Sequence, residues 1–184
     1  MMEPATAANQ WVNTLDSRNP EVIEKARSIL QENFYCTLST ASASGDPWSS
    51  PVYFAYDDRW HLYWASTIVA RHSQNLETNG GRVSVSLFSV NPDSSVKGLY
   101  LYGVAGALED PTAIEPAMVL LVNRREPVER TVEDYWGESP RRIYHFTPQQ
   151  AWVYGPRLDI GHPPNLQPRL RRSGCQLQSL PRPS

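Results

Sequence analysis

The sequence predicts a mainly β (α+β) domain, with an antiparallel sheet closed into a barrel or sandwich and helices at its ends. Three observations predict it. Apolar residues recur with a period of two in stretches joined by short turn signals, so hairpin connections dominate. Helical spacing is confined to segments that flank or interrupt those stretches. Neither the dinucleotide-binding glycine fingerprint nor a P-loop is present, which removes the parallel nucleotide folds.

The elements follow in order. Asn19 suits an N-cap and Pro20 the first helical position, where a missing N–H costs nothing. Val22, Ile23, Ala26, Ile29 and Leu30 then form one helical face, with Glu21 and Glu24 in the first turn suiting the dipole. Phe34, Cys36 and Leu38 alternate with Tyr35, Thr37 and Ser39, the period of a first strand. Residues 42–47 are a turn by composition. A second strand spans Trp48–Tyr56; Pro51 cannot donate to a ladder, so this strand is interrupted, bulged or at an edge. After a turn at Asp57 and Asp58, Trp60, Leu62 and Trp64 form the inward set of a third strand.

Ser66 or Thr67 can cap a short helix with Ile68, Val69, His72 and Leu76 on its partial apolar face, stopped by Asn79-Gly80-Gly81. Val83, Val85 and Leu87 mark a fourth strand, residues 91–95 a loop, and Gly98–Leu108 a fifth strand in which Gly103 and Gly106 mark a bulge or a close backbone approach. A helix over Thr112–Arg124 follows, its start delayed by Pro116. A short helical stretch covers Val132–Trp136. Two last strands, Arg142–Phe146 and Ala151–Tyr154, are split by a turn at Thr147-Pro148.

At 184 residues the chain fits one domain of ordinary size, about 100–200 residues. The expected layout is an N-terminal extension over 1–18, the folded domain over 19–160, and a Pro- and Arg-rich tail over 161–184 that cannot bury enough apolar surface to order itself. A net charge of −2 gives no support for a nucleic-acid or anionic-membrane surface. The longest apolar run, Ala117–Val122, is far below the roughly 18 residues of a membrane span. The N-terminus has no apolar signal-peptide core, so the expected location is the cytoplasm. Cys36 and Cys175 form no CxxC; Cys36 reads as a buried free thiol. His61, His145 and His162 are isolated and lack metal-ligand spacing, so no metal is expected. No glycines flank Ser49-Ser50 to make a nucleophile elbow, and no catalytic acid or base is assigned.

The segment LYWASTIVARHSQNL, Leu62–Leu76, carries the strongest local chemistry. A helix N-terminus presents unpaired N–H groups and a positive dipole end, which suits phosphate. Ser66 and Thr67 add hydroxyls, Arg71 a bidentate fork and His72 a further donor. The same residues also fit an ordinary helix cap with Arg71 and His72 in solvent, and spacing by itself favours that plainer reading.

Five segments in order change the weighting: CTLSTASASGDPWSSPVYFAYDD, LYWASTIVARHSQNL, GGRVSVSLF, GLYLYGVAGALED and IYHFTPQQAWVYG. Together they resemble the pyridoxamine 5′-phosphate oxidase-like, FMN-binding split β-barrel superfamily over most of residues 34–154. The resemblance implies an antiparallel split barrel and a homodimer with FMN at the subunit interface. It implies that Ser50, Pro51, Val52 and Tyr53 line the flavin ring with backbone groups. Ser66 and Thr67 fall at the hydroxyl position and Arg71 at the phosphate arginine. His72 stands where many members have lysine, and Gly98 stands where oxidase members place a polar ring contact. Arg141, Arg142 and His145 do not have the spacing with which the oxidase itself holds pyridoxal phosphate. The function implied is an FMN-dependent oxidoreductase acting on a small molecule. Rivals are a deazaflavin-using member, a haem-handling member with His145 or His162 as axial ligand, and a non-catalytic flavin-binding or sensor module.

Overall fold

Asn19 and Pro20 start the first helix as the sequence predicts. The Asn19 side-chain oxygen accepts from the Glu21 N–H at 2.9 Å, and Pro20 takes the first helical position. The computed structural model describes residues 11–13, 18–91, 96–124 and 129–154. The tail over 161–184, most of the extension over 1–18, and residues 92–95 of the expected loop lie outside them, as do Cys175 and His162.

Helix α1, Pro20–Glu32, buries Ala26, Ile29 and Leu30 along one stripe. The strands are β1 (Trp11–Asn13), β2 (Tyr35–Ala41), β3 (Pro47–Tyr53), β4 (Ala55–Tyr56), β5 (Leu62–Thr67), β6 (Arg82–Val90), β7 (Val96–Ala107) and β8 (Arg141–Tyr154). They form one antiparallel sheet in the order β3-β2-β6-β7-β8-β5-β4, with β1 added against β8. The other helices are α2 (Arg71–Thr78) and α3 (Pro111–Asn123), with a 3₁₀ turn at Val132–Tyr135.

The topology fixes the shape. β3 and β4 stand at opposite ends of the strand order, yet only Phe54 separates them in the chain. One residue spans about 3.5 Å, so both edges must come together at Phe54 and the sheet must curl into a split barrel. Phe54 and Ala55 are 0% and 2% exposed, two buried residues in a row that break the alternation. The expected single strand Trp48–Tyr56 is therefore two strands, and Pro51 lies on an edge strand, where its missing N–H disturbs no second ladder.

The inward residues of β2, β5, β6, β7 and β8 make the main core with the α1 stripe and Leu76 of α2; Leu38, Trp64, Val85, Leu101 and Phe146 are its centre. A second core lies on the other face of the sheet, where Ile114, Ala117 and Leu121 of α3 cover Ala55 and Ile143.

Five expectations are corrected. β8 is continuous through Thr147-Pro148, and Gln149 is the extra residue of a bulge, because Tyr102 pairs Gln150 while Gly103 pairs Pro148. A Cβ on Gly103 would meet the Thr147 carbonyl oxygen, so this is the close approach the glycine permits, whereas nothing lies within 4 Å of a Cβ on Gly106. Pro116 does not delay α3, which begins at Pro111 under an Asp110 cap and continues through Pro116 with one N–H fewer. Trp60 lies in the turn before β5 with positive φ, so it is no part of the strand although it packs half-buried against the main core, and Phe34 is half exposed.

Candidate functional site

The β2–β3 hairpin, the end of β5 and the start of α2 converge on one polar cluster. The hairpin turns at residues 42–46, where Gly45 takes φ +92° and Asp46 accepts from the Ser42 and Ser44 hydroxyls. Those hydroxyls, Ser44 foremost, hold the Asp46 carboxyl below its ordinary range, with Arg71 adding to the effect. β3 then carries Trp48, Ser50 and Val52, and it pairs with β2 alone. Roughly half of its backbone N–H and C=O groups therefore point away from a partner strand.

β5 continues to Thr67, and three turn residues lead into α2. The expectation that Ser66 or Thr67 caps this helix is corrected. Its N-cap is Ala70, which makes no side-chain cap bond. Ile68 and Val69 are exposed in the turn and take no part in a helical face. The first N–H groups of α2 thus have neither an intrahelical acceptor nor a capping oxygen. The helix docks through a polar face: His72, Ser73, Asn75 and Leu76 are buried, and Asn75 donates to Thr40 Oγ1 on β2 at 3.0 Å.

His72 is 8% exposed and lies between two serines. Its Nε2 is 2.7 Å from Ser66 Oγ and its Nδ1 is 3.1 Å from Ser50 Oγ. Burial lowers its pKa, so the ring is neutral at pH 7. The Trp48 indole N–H donates to Ser50 Oγ at 2.9 Å, and the Arg71 guanidinium lies over the Trp48 ring, 4.7 Å from its centroid. Arg71 is exposed and makes no hydrogen bond to another described side chain.

The structure thus brings together Ser50, Ser66, Arg71 and His72. Both ring nitrogens of His72 face serines, so the ring reaches a ligand through those hydroxyls. Thr67 ends β5 beside them. Pro51 and Val52 continue β3, but Tyr53 is at its far end, where its ring meets Tyr35 edge-on and its hydroxyl donates to the Leu121 carbonyl of α3 at 3.1 Å. There an open cleft of about 370 Å³ is lined by Phe34, Tyr35, Tyr53 and Arg124. Trp48 is the member the sequence did not single out; its place two residues before Ser50 on the same strand face was the available signal.

Two histidines expected to be isolated meet. His61 and His145 pack edge-on with centroids 4.7 Å apart, and His145 stacks on Tyr63 at 5.1 Å. Asp57 Oδ2 lies 3.1 Å from His61 Nδ1 and accepts from the Tyr63 hydroxyl at 3.1 Å. Burial, and then the Asp57 charge, pushes the Tyr63 phenol up to about 12. Among the described residues no group of three His, Cys, Asp or Glu side chains could hold a metal ion, and no helix is long and apolar enough to cross a membrane. Cys36 is a buried free thiol, pushed up to about 12 by burial.

The model of the family described as pyridoxamine 5′-phosphate oxidase matches residues 22–154. This chain belongs to the pyridoxamine 5′-phosphate oxidase family. Solved structures share the oxidase-family fold. A haem storage protein from Vibrio cholerae is 20% identical with a TM-score of 0.61, over 73% of this chain and 96% of that one. A haem-binding protein from Mycobacterium smegmatis is 23% identical with a TM-score of 0.63, over 77% of this chain and 57% of that one. An FAD-binding protein from Mesorhizobium loti is 21% identical with a TM-score of 0.55, over 71% and 91%. No curated protein matches the chain in sequence. At these identities the likeness carries the split-barrel fold, and the cofactors in those names belong to those proteins.

Proposed function

We propose that this member of the oxidase family is a cytoplasmic, FMN-dependent oxidoreductase acting on a small molecule, as a homodimer with the cofactor at the subunit interface. The observation that carries the reading is the convergence of Arg71, Ser66, Ser50 and His72 at the uncapped start of α2, beside the edge strand β3. The donor set fits a phosphate monoester: a planar guanidinium fork, a serine hydroxyl and open backbone N–H groups. Within Ser50, Pro51, Val52 and Tyr53, the alternate backbone groups that face away from β2 fit the polar edge of a flat ring. FMN supplies hydride acceptance at its ring when bound; the residues of this chain bind it, orient it and set the field around it.

A dimer is supported by the sheet's outer face. Phe88 and Val90 on β6 are 63% and 60% exposed, and the ladder places them beside Gly98 and Val96 of β7. Such a contiguous apolar strip marks a contact surface. Flavin is favoured over haem by the setting of His145, whose ring is packed between Tyr63 and His61.

The test is the absorption spectrum of the purified protein, followed by titration with FMN. A two-band flavin spectrum, or saturable FMN binding, is expected. A Soret band points to haem, and a single-band deazaflavin spectrum points to that relative. A colourless protein that fails to bind added FMN overturns the reading.

A further inference from the structure

The cluster around His72 has a hydrogen balance that constrains what it can do. Trp48 Nε1, Ser50 Oγ, His72 and Ser66 Oγ form a chain of three hydrogen bonds. The neutral ring brings one N–H, the indole one, and each serine one O–H. That makes four hydrogens for three bonds, so one hydrogen is left to point out of the chain. The indole can only donate, so Ser50 must accept from it. Two arrangements remain. With the proton on Nε2, Ser50 donates to Nδ1, the ring donates to Ser66, and the Ser66 hydroxyl points outward. With the proton on Nδ1, the ring donates to Ser50, Ser66 donates to Nε2, and the Ser50 hydroxyl points outward.

We infer that His72 is a positioning residue whose tautomer selects which serine donates to the ligand, and that an oxyanion bound beside Ser66 and Arg71 selects the Nε2–H form. The inference rests on the proposed phosphate site and deepens it. An oxyanion without protons can only accept, so it requires the outward hydrogen on Ser66, the serine at the α2 end of the chain. The Nδ1–H form would instead turn a Ser66 lone pair toward that region. A neutral histidine thus replaces a second cation with a directed hydroxyl donor.

The experiment is long-range ¹H–¹⁵N NMR of the imidazole rings in the full chain, which has four histidines, with FMN, riboflavin and inorganic phosphate added in turn. FMN and phosphate should each raise the Nε2–H population of His72, and riboflavin, which lacks the phosphate, should leave it unchanged. Ser66→Ala should weaken FMN at least tenfold while leaving riboflavin affinity within about twofold, and Ser66→Thr should recover most of the loss. An unchanged ring on FMN binding, a shift toward Nδ1–H, or an equal loss of FMN and riboflavin in Ser66→Ala overturns the inference and leaves the flavin reading standing. Failure of FMN to bind the unaltered protein overturns both.

Discussion

Gly103 on β7 faces the carbonyl of Thr147 on β8 so closely that a Cβ there would lie 2.1 Å from that oxygen and 2.9 Å from the Phe146 ring. The contact falls at the Gln149 bulge, where β8 passes Pro148 without leaving the sheet. A methyl group would push apart the two longest strands at the centre of the barrel. Gly103→Ala is therefore expected to destabilise by at least the 1–3 kcal/mol of an overpacked core. Thermal unfolding followed by circular dichroism should show a fall in Tm of several degrees, and Gly106→Ala, with open space around it, should not.

Arg124 clamps the place where the barrel edges meet. Its guanidinium donates to the Leu30 and Asn33 carbonyls at the end of α1 and lies over Phe34, Phe54 and Tyr56 at 5.4, 4.8 and 4.6 Å. Arg124→Ala should cost about 2 kcal/mol or more, since it removes a charge-assisted donor pair and leaves those carbonyls unpaired. Arg124→Lys should recover only part of this, because an ammonium lacks the planar fork. Urea midpoints of the two variants check the order; equal stability of Lys and Arg would count against the clamp.

Arg71 lies over the Trp48 ring and makes no hydrogen bond to another described side chain. Loss of its charge-assisted pair with a phosphate should weaken FMN by on the order of 1.5–3 kcal/mol in Arg71→Ala, roughly tenfold to a hundredfold. Quenching of flavin fluorescence measures this. Unchanged affinity would mean that the phosphate sits elsewhere.

Buried His72 and half-buried His145 make stability depend on pH. His72 is lowered by burial, and His145 by burial and then by His61, against a smaller opposing pull from Asp57. The unfolded chain, with histidine near 6.5, then takes up protons before the folded one does. Their contribution is fully present above about pH 6.5 and is lost as pH falls through the lowered folded values. Urea midpoints should be level from pH 8 to 7 and fall toward pH 5, and His72→Gln should reduce that fall. A profile with no fall between pH 7 and 5 would contradict this.

Much of the fold was legible because its signals are local. Asn19-Pro20 stands at the start of α1, and Val83, Val85 and Leu87 alternate as one face of β6. Where reading failed, a distant contact decided. Thr147-Pro148 has turn composition, but Gly103 gives β8 room to run on. Ser66 and Thr67 look like caps, but pairing with Arg142 and Arg141 holds them in β5.

By itself, then, the sequence determined the mainly β class, the two long helices, Pro51 as a mark of an edge or break, and Arg71 as a residue of the short helix. Period, capping chemistry and missing N–H groups act over a few residues and can be read from them. Only the tertiary structure decided that the sheet curls until its edges meet at Phe54. Only it decided that Trp48, Ser50, His72 and Ser66 form one hydrogen-bonded chain. The two bonds to His72 join residues 6 and 22 apart through hydrogen-bond directions and burial, and no local pattern encodes them.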